Sequence, residues 1–549
     1  MRQESKIDLL ANDLVKRMAE HYPSFATSIG FPGGEGDMDD HSPSALARDI
    51  QLAKSTLSEL SKLPVQDSVD EVTVDALTQS LNSEIALYEA GLSFRNLNNI
   101  ASPAQDVRDV FDLTPTATEE DWVNIASRLR KVGQSLAGYQ ETLSIGFERG
   151  DGPARRQVQE VIDQVEQIVG GKFFEEFASS AKVDLPESLK EDLARAASEA
   201  SAGYASFGTF MKASLEKASV QDAIGKERYA LLSERFLGAK IDVDETYEWG
   251  IEELNRVIKE QQQVANEILP GASIEEAVDF LDQDPSTKLH SKDELKAWMQ
   301  QLSDQAIENL GKTHFDIAEP LRNLECMIAP TNSGAIYYTG PSDDFSRPGR
   351  MWWSVPEGVT EFDTWRETTT VYHEGVPGHH LQIAQATYIK DTLNDWRRLA
   401  SWTSGHGEGW ALYAERLMDE LGYLKTPAER LGMLDAQRMR AARVVLDLGV
   451  HLGKPKLDGT GVWDFDYALE FMKSNVNMPD EFVRFEVTRY FGWPGQAPAY
   501  KIGQRIWEQI RDDYKARKGS SFNQKEFHST ALNLGGLGLD TLKRVMAKA

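Results

Sequence analysis

From Lys6 to about Lys312 the apolar residues recur at intervals of three and four, as in Leu9, Leu10, Leu14 and Met18 or Leu189, Leu193, Ala196 and Ala197, with charged residues between them. That period places the apolar set on one face of a helix, so the stretch reads as a succession of amphipathic helices. Helix starts are marked by Thr118 before Glu119-Glu120-Asp121, and by Ser291 with Glu294 three residues on, a capping-box pattern opening a helix over Lys292 to Leu310. Loops are marked by Phe31-Pro32-Gly33-Gly34, Ala101-Ser102-Pro103, Arg149-Gly150-Asp151-Gly152-Pro153 and Leu269-Pro270-Gly271. No fixed-period repeat is present, which removes a solenoid from consideration.

Between about Leu324 and Pro356 the pattern changes to three short β-prone runs, LECMIAP, GAIYYTG and RMWWSV, separated by Asn332, Gly340-Pro341 and Pro348-Gly349. Three short strands cannot bury a core by themselves, so the sheet must lie against helices. Helical spacing returns from about Thr364 and continues to the C-terminus. The expected fold is mainly α with a small β-sheet. A helical half over residues 1–320 is joined to a second half over 321–549 that holds the sheet (321–356), and the two are not independent domains.

Composition narrows the function classes. A chain of 549 residues with 41% hydrophobic residues can bury a large core, and a net charge of −28 repels phosphate backbones and anionic membranes, so nucleic acid and membrane are poor partners. The single cysteine, Cys326, can form neither an internal disulfide nor a Cys-rich zinc site. Acidic residues interrupt every apolar stretch near the N-terminus, and no window approaches the roughly 18 apolar residues of a spanning helix. The expectation is a soluble, cytoplasmic protein. A homo-oligomer is left open.

Candidate chemistry is concentrated where His373, His379, His380 and His406 fall close together in VYHEGVPGHHLQIAQ and SGHGEGWALYAE. Histidine is the commonest metal ligand, and a glutamate directly after the first histidine, here Glu374, is the zinc-protease arrangement. The strict H-E-x-x-H spacing fails, because Pro377 stands where the second histidine belongs. In a regular helix His379 would point about 120° away from His373 and lie about 9 Å along the axis, and His380 would lie about 10.5 Å along it. Neither pair could share an ion held at about 2.0–2.1 Å. The helix must therefore break between them, and Gly375, Val376, Pro377 and Gly378 supply the means. The third ligand is expected to be Glu408, at the start of the helical run EGWALYAERLMDELG, with Glu415 on the same face as a hydrogen-bond partner of a ligand histidine.

HEGVPGHHLQ, EGWALYAE, Ser346-Arg347-Pro348-Gly349 and RYFGWPGQAPAYKIGQ together resemble the bacterial family known as domain of unknown function 885, tightly from about 330 to 510 and loosely before that. The family looks related to helical zinc peptidases of the thimet oligopeptidase, angiotensin-converting-enzyme and carboxypeptidase Taq kind. This resemblance implies His379 rather than His380 as the second ligand, leaving His380 outside the ligand set. It also implies a late-helix oxyanion donor, with Tyr500 leading and Tyr490 behind it. Tyr500 reads equally well as a packing tyrosine.

Arg443, Asp447 and His451 form one helical stripe that could hold a substrate carboxylate through Arg443 and a proton carrier at His451, with Asp447 supporting, or could be an ion-pair row. Tyr337 in GAIYYTG is expected on an edge strand beside the metal that pairs with a peptide backbone, with Arg347 and Arg350 fixing an acidic group. His406 is assigned outside the ligand set, because a fourth protein ligand would close the site. The expected function is a zinc metallopeptidase in which His373, His379 and Glu408 hold Zn2+, Glu374 is the general base and short peptides are the substrate. A zinc hydrolase of a non-peptide amide or ester, and a non-catalytic helical binding protein, are the alternatives.

Overall fold

Helix starts are where the sequence supplies caps. In this computed structural model, which describes residues 2–329 and 336–549, Thr118 caps the helix Glu119–Glu148 and shares a reciprocal capping box with Asp121. Ser291 caps Lys292–Thr313 by accepting from the Glu294 amide, but the Glu294 carboxylate reaches past it to the His290 amide, so only half of the expected box forms. Asn332 and the first residues of GAIYYTG fall in 330–335, outside the described residues.

The fold is mainly α. Two hydrophobic interiors hold the helices together. One is built from residues 97–218, where Glu119–Glu148 packs along Glu187–Ser214. The other draws on Ile7 to Leu81 and on Tyr229 to Met546, and it contains the helices that carry the histidines. Polar contacts link the two interiors. The Gln157 amide donates to the Thr488 carbonyl at 2.8 Å, and Arg95 and Arg228 both pair with Asp151.

The β-prone runs pair as a three-stranded sheet. With β1 at Lys288–Leu289, β2 at Leu324–Ile328, β3 at Tyr337–Thr339, β4 at Gly349–Trp353 and β5 at Phe362–Asp363, the strand order is β2-β4-β3. β2 runs parallel to β4 with Cys326 opposite Met351, and β3 runs antiparallel to it with Tyr338 opposite Met351. Cys326 and Met351 are buried, which fixes the face turned toward the helices. The two-residue ladder β1–β5 gives no sequence signal, because two residues are too few to show a period.

One helix contact does most to position the candidate site. Ser404–Glu420, which carries Glu408, crosses Ala499–Lys518, which carries Tyr500, with glycine against glycine. A Cβ on Gly409 would stand 2.5 Å from the Gly503 carbonyl carbon, and one on Gly503 would stand 2.2 Å from the Gly405 oxygen. Backbone is the obstacle in both cases, so no side-chain rotation relieves it. Gly503→Ala is therefore expected to force the two helices apart and destabilise the chain by roughly 1–3 kcal/mol. Chemical denaturation of the variant beside the wild type checks this, and an unchanged midpoint would refute it.

Candidate metal centre

Thr364–Glu374 ends at the first histidine and its following glutamate, and a new helix, His379–Tyr388, begins at the second. The turn between them is possible because a side chain is missing where the backbone folds back: a Cβ on Gly378 would lie 1.9 Å from the His373 carbonyl oxygen. The freed polar groups find partners. Gly378 N–H donates to the Tyr372 carbonyl at 3.1 Å and His380 N–H to the Gly375 carbonyl at 3.2 Å. The Trp410 indole N–H donates to the carbonyls of Pro377 and Gly378 at 2.8 and 3.2 Å. Trp410 stands two residues after Glu408, so the same helix supplies a candidate ligand and ties down the turn that aims another.

His373, His379 and Glu408 come together, with one potential ligand atom from each lying within 4.8 Å of the others. The Nε2 atoms of both histidines stand 3.4 Å from Glu408 Oε2, and the two rings are perpendicular with centroids 4.8 Å apart. Atoms about 2.0–2.1 Å from a tetrahedral ion are separated by about 3.3–3.4 Å, so the spacing fits a common metal. Glu408 Oε2 and His379 Nδ1 are buried without a hydrogen-bond partner among the described residues. On the far side of His373, Nδ1 lies 2.7 Å from Glu415 Oε1, and Gln437 donates to Glu415 Oε2 at 3.0 Å. A histidine bonded to a carboxylate through Nδ1–H presents an unprotonated Nε2, the form a metal takes.

The electrostatics ask for a cation. Burial opposes charge on His373, yet the Glu408 and Glu415 carboxylates outweigh it and lift the imidazole to about 10. Burial also disfavours the charged form of Glu408, but the neighbouring histidines hold it well below the usual carboxylate range. Glu374 is pushed upward, first by burial and then by Glu408, and its carboxylate has no hydrogen-bond partner among the described residues. Three carboxylates around two imidazoles leave an excess of negative charge that a divalent ion would neutralise.

The other expected residues are distributed differently. Tyr500 is half-buried, its ring lies under the Arg443 guanidinium at 5.2 Å, its hydroxyl has no partner among the described residues, and burial together with the Glu408 charge raises it. Arg443 is engaged inside the protein, donating from Nε to the Tyr490 hydroxyl at 2.6 Å and from Nη2 to Glu486 at 2.7 Å. Tyr490 is fully buried in the same cluster. Asp447 accepts from the Tyr229 hydroxyl at 2.7 Å and the Gly495 amide at 3.0 Å, and burial pushes it up to about 7. His451 is fully buried against the Tyr490 carbonyl and is pushed down to about 4 by burial. The stripe thus faces the interior, and among the described residues none of its three side chains hydrogen-bonds to His373, His379 or Glu408.

His380 bridges the Tyr338 hydroxyl at 2.9 Å and the Leu321 carbonyl at 2.8 Å, joining the sheet to its helix. Tyr337 is half-exposed on β3 and stacks on Trp352. Arg347 is exposed in the β3–β4 connection, Arg350 pairs with Glu325, and His406 is buried beside Trp507.

Two features escaped the sequence reading. Arg440 lies three residues before Arg443 on the same stripe; its charge acts on Glu374, Glu415 and Tyr500, and its buried Nε has no partner among the described residues. Helical spacing was the available signal for it. The second is a cleft. A cavity of about 640 Å3, lined by Tyr139, Phe236, Trp493 and Arg95 among others, meets one of about 390 Å3 at Tyr22, Arg235, Trp402 and Thr403. Trp402 is 44% exposed, and its ring centroid is 6.2 Å from that of His379.

Known proteins place the chain more broadly. The family described as "Bacterial protein of unknown function (DUF885)" matches residues 23–546. A "putative lipoprotein" from Colwellia psychrerythraea has the same fold, with a TM-score of 0.86 at 21% identity over 99% of this chain and 98% of that one. A "putative lipoprotein of unknown function" from Shewanella oneidensis gives 0.75 at 16% identity over 99% of this chain and all of that one, 100%. A Pyrococcus furiosus carboxypeptidase gives only 0.31 at 13% identity over 92% and 97%, too low to carry an argument. No curated protein matches the chain.

The lipoprotein descriptions correct the expectation of a cytoplasmic location. That expectation came from an acidic composition and the lack of apolar stretches, and no helix among the described residues is long and apolar enough to cross a membrane. A water-facing folded body is equally compatible with a lipid anchor, so these observations do not fix a compartment.

Two tests follow from this geometry. After loading with a divalent metal, the wild type is expected to hold about one ion per chain, and His373→Ala and Glu408→Ala less than about a tenth of that. Elemental analysis decides, and unaltered content in both variants would remove these ligands. The Arg443 cluster gives a second. Burial alone would raise Glu486, but the charges of Arg443 and Arg489 depress it from 4.5 to about 2. A depressed carboxylate contributes stability that is complete above its unfolded pKa and is lost as pH falls through the folded one. Wild-type stability is therefore expected to fall between about pH 4.5 and 2 by on the order of 3 kcal/mol more than that of Glu486→Gln, as read by denaturant titrations across that range.

Proposed function

The chain belongs to the bacterial DUF885 family, and within it we propose that this protein is a zinc-dependent peptidase acting on short peptides. The observation that carries the reading is the convergence of His373, His379 and Glu408 around a shared point, with the unpartnered Glu374 carboxylate next in sequence to the first histidine. Two imidazoles and a carboxylate are a donor set suited to zinc with one position left open. Bound there, zinc supplies Lewis acidity toward a carbonyl oxygen and lowers the pKa of water.

The chain's own residues supply the rest. Glu374, raised by burial, is suited to take a proton from the attacking water and return it to the leaving amine. The Tyr500 hydroxyl, without a partner among the described residues, is free to donate to the oxyanion that develops on the scissile carbonyl, and the Arg440 charge favours the same negative charge. The cleft has room for a short extended peptide and reaches the centre at Trp402, beside His379, while none of His373, His379, Glu408, Glu374 and Tyr500 lines its described cavities. β3, as the edge of its sheet among the described strands, offers backbone groups for an extended chain.

The expected result is hydrolysis in a panel of short peptides by the zinc-loaded protein, with Glu374→Gln lowering kcat by about 10²–10⁴ while zinc content stays at the wild-type level. Cleavage of simple esters or acyl amides but of no peptide would transfer the site to a different hydrolase class. Full activity in Glu374→Gln would remove the general base from this scheme.

A further inference from the structure

His373 is held by more than Glu415. Behind Glu415 lies Gln437, and behind Gln437 lies Lys501, all buried. Lys501 Nζ is 2.6 Å from Gln437 Oε1, 2.9 Å from Glu253 Oε1 and 3.0 Å from Gln504 Oε1. A lysine ammonium has three donors and no acceptor, so these three oxygens use all of them.

This arrangement gives the line a direction. Because Lys501 can only donate, Gln437 must turn Oε1 toward it and Nε2 toward Glu415. Glu415, receiving that amide on Oε2, offers Oε1 as an acceptor to His373 Nδ1. An acceptor at that place keeps a proton on Nδ1, so Nε2 is the nitrogen turned toward Glu408 and the one a metal would take. Reversing any one bond would set donor against donor or acceptor against acceptor in a buried place, at the full cost of an unmade hydrogen bond.

We propose that Lys501 is a positioning residue that, by fixing the amide of Gln437, holds Glu415 in the place from which it orients His373 for metal binding. The lysine comes from the late helix that also carries Tyr500, one residue before it, so the chain element expected to donate to the oxyanion also orients a ligand more than a hundred positions earlier. The inference rests on His373 as a ligand and does not require that the substrate be a peptide.

The test uses the full chain and two variants. Lys501→Met removes the source of direction. Gln437→Glu keeps an acceptor for Lys501 but sets a second carboxylate against Glu415 in place of a donor, so it also serves if Lys501→Met fails to fold. Zinc affinity by competition with a chromophoric chelator is expected to weaken about tenfold or more in each, the usual effect of losing a group that supports a ligand. Denaturation midpoints of the metal-free variants are read alongside. A lysine that only stabilised the fold would lower the midpoint and leave the zinc affinity of the folded chain unchanged. Wild-type affinity in both folded variants would overturn the proposal. A wild type that binds no zinc would instead overturn the ligand assignment on which the proposal rests.

Discussion

Two imidazoles six positions apart can reach one point only if the helix between them is broken, and a broken helix inside a protein exposes backbone groups that must be satisfied. Everything around the candidate centre answers to that constraint. Gly378 lets the backbone cross the His373 carbonyl where any Cβ would collide with it. Trp410 takes the carbonyls of Pro377 and Gly378, and it comes from the helix that presents Glu408. That helix is seated in turn by glycine contacts with the one carrying Tyr500. The spacing of the three side chains is thus set by backbone approach distances, which vary less than side-chain rotamers do.

Charge explains why so many polar groups are tolerated here. Glu374, Glu408 and Glu415 gather beside two histidines in a largely buried place, an arrangement whose desolvation cost is high unless positive charge is supplied. In the chain alone the supply comes from imidazole protons and from Arg440 nearby. A divalent ion would meet the same demand more fully and would release His373 from carrying a proton on both nitrogens. Arg443 is neutralised by Glu486 and also donates to Tyr490, so its hydrogen bonds among the described residues are made away from the histidines.

Much of this is legible in the sequence because it depends on local pattern. Helical period, caps and β-branched or aromatic runs give the mainly α fold and the β2, β3 and β4 segments. The histidine cluster, the Gly/Pro break and the acidic residues of EGWALYAE single out the side chains that come together at the centre. What stays hidden depends on which face of a helix meets which neighbour. Arg443, Asp447 and His451 form a stripe either way, and only packing shows that it meets Tyr490, Tyr229 and Gly495 in the interior. Lys501 and Gln437 are unremarkable in their own segments, because their partners are distant in sequence. The compartment was misjudged because surface composition reports contact with water and nothing about an anchor.

The separation of the two hydrophobic interiors bears on how the cleft behaves. Tyr139 and Leu97, on one wall, belong to the interior formed by residues 97–218, while Phe491 across from them belongs to the other. The two walls are therefore anchored in different packed interiors, with amide and guanidinium contacts among those that join them. Any change in cleft width would have to exchange these polar partners, the buried Gln157 bond among them, while the helices that carry the histidines belong to one interior alone.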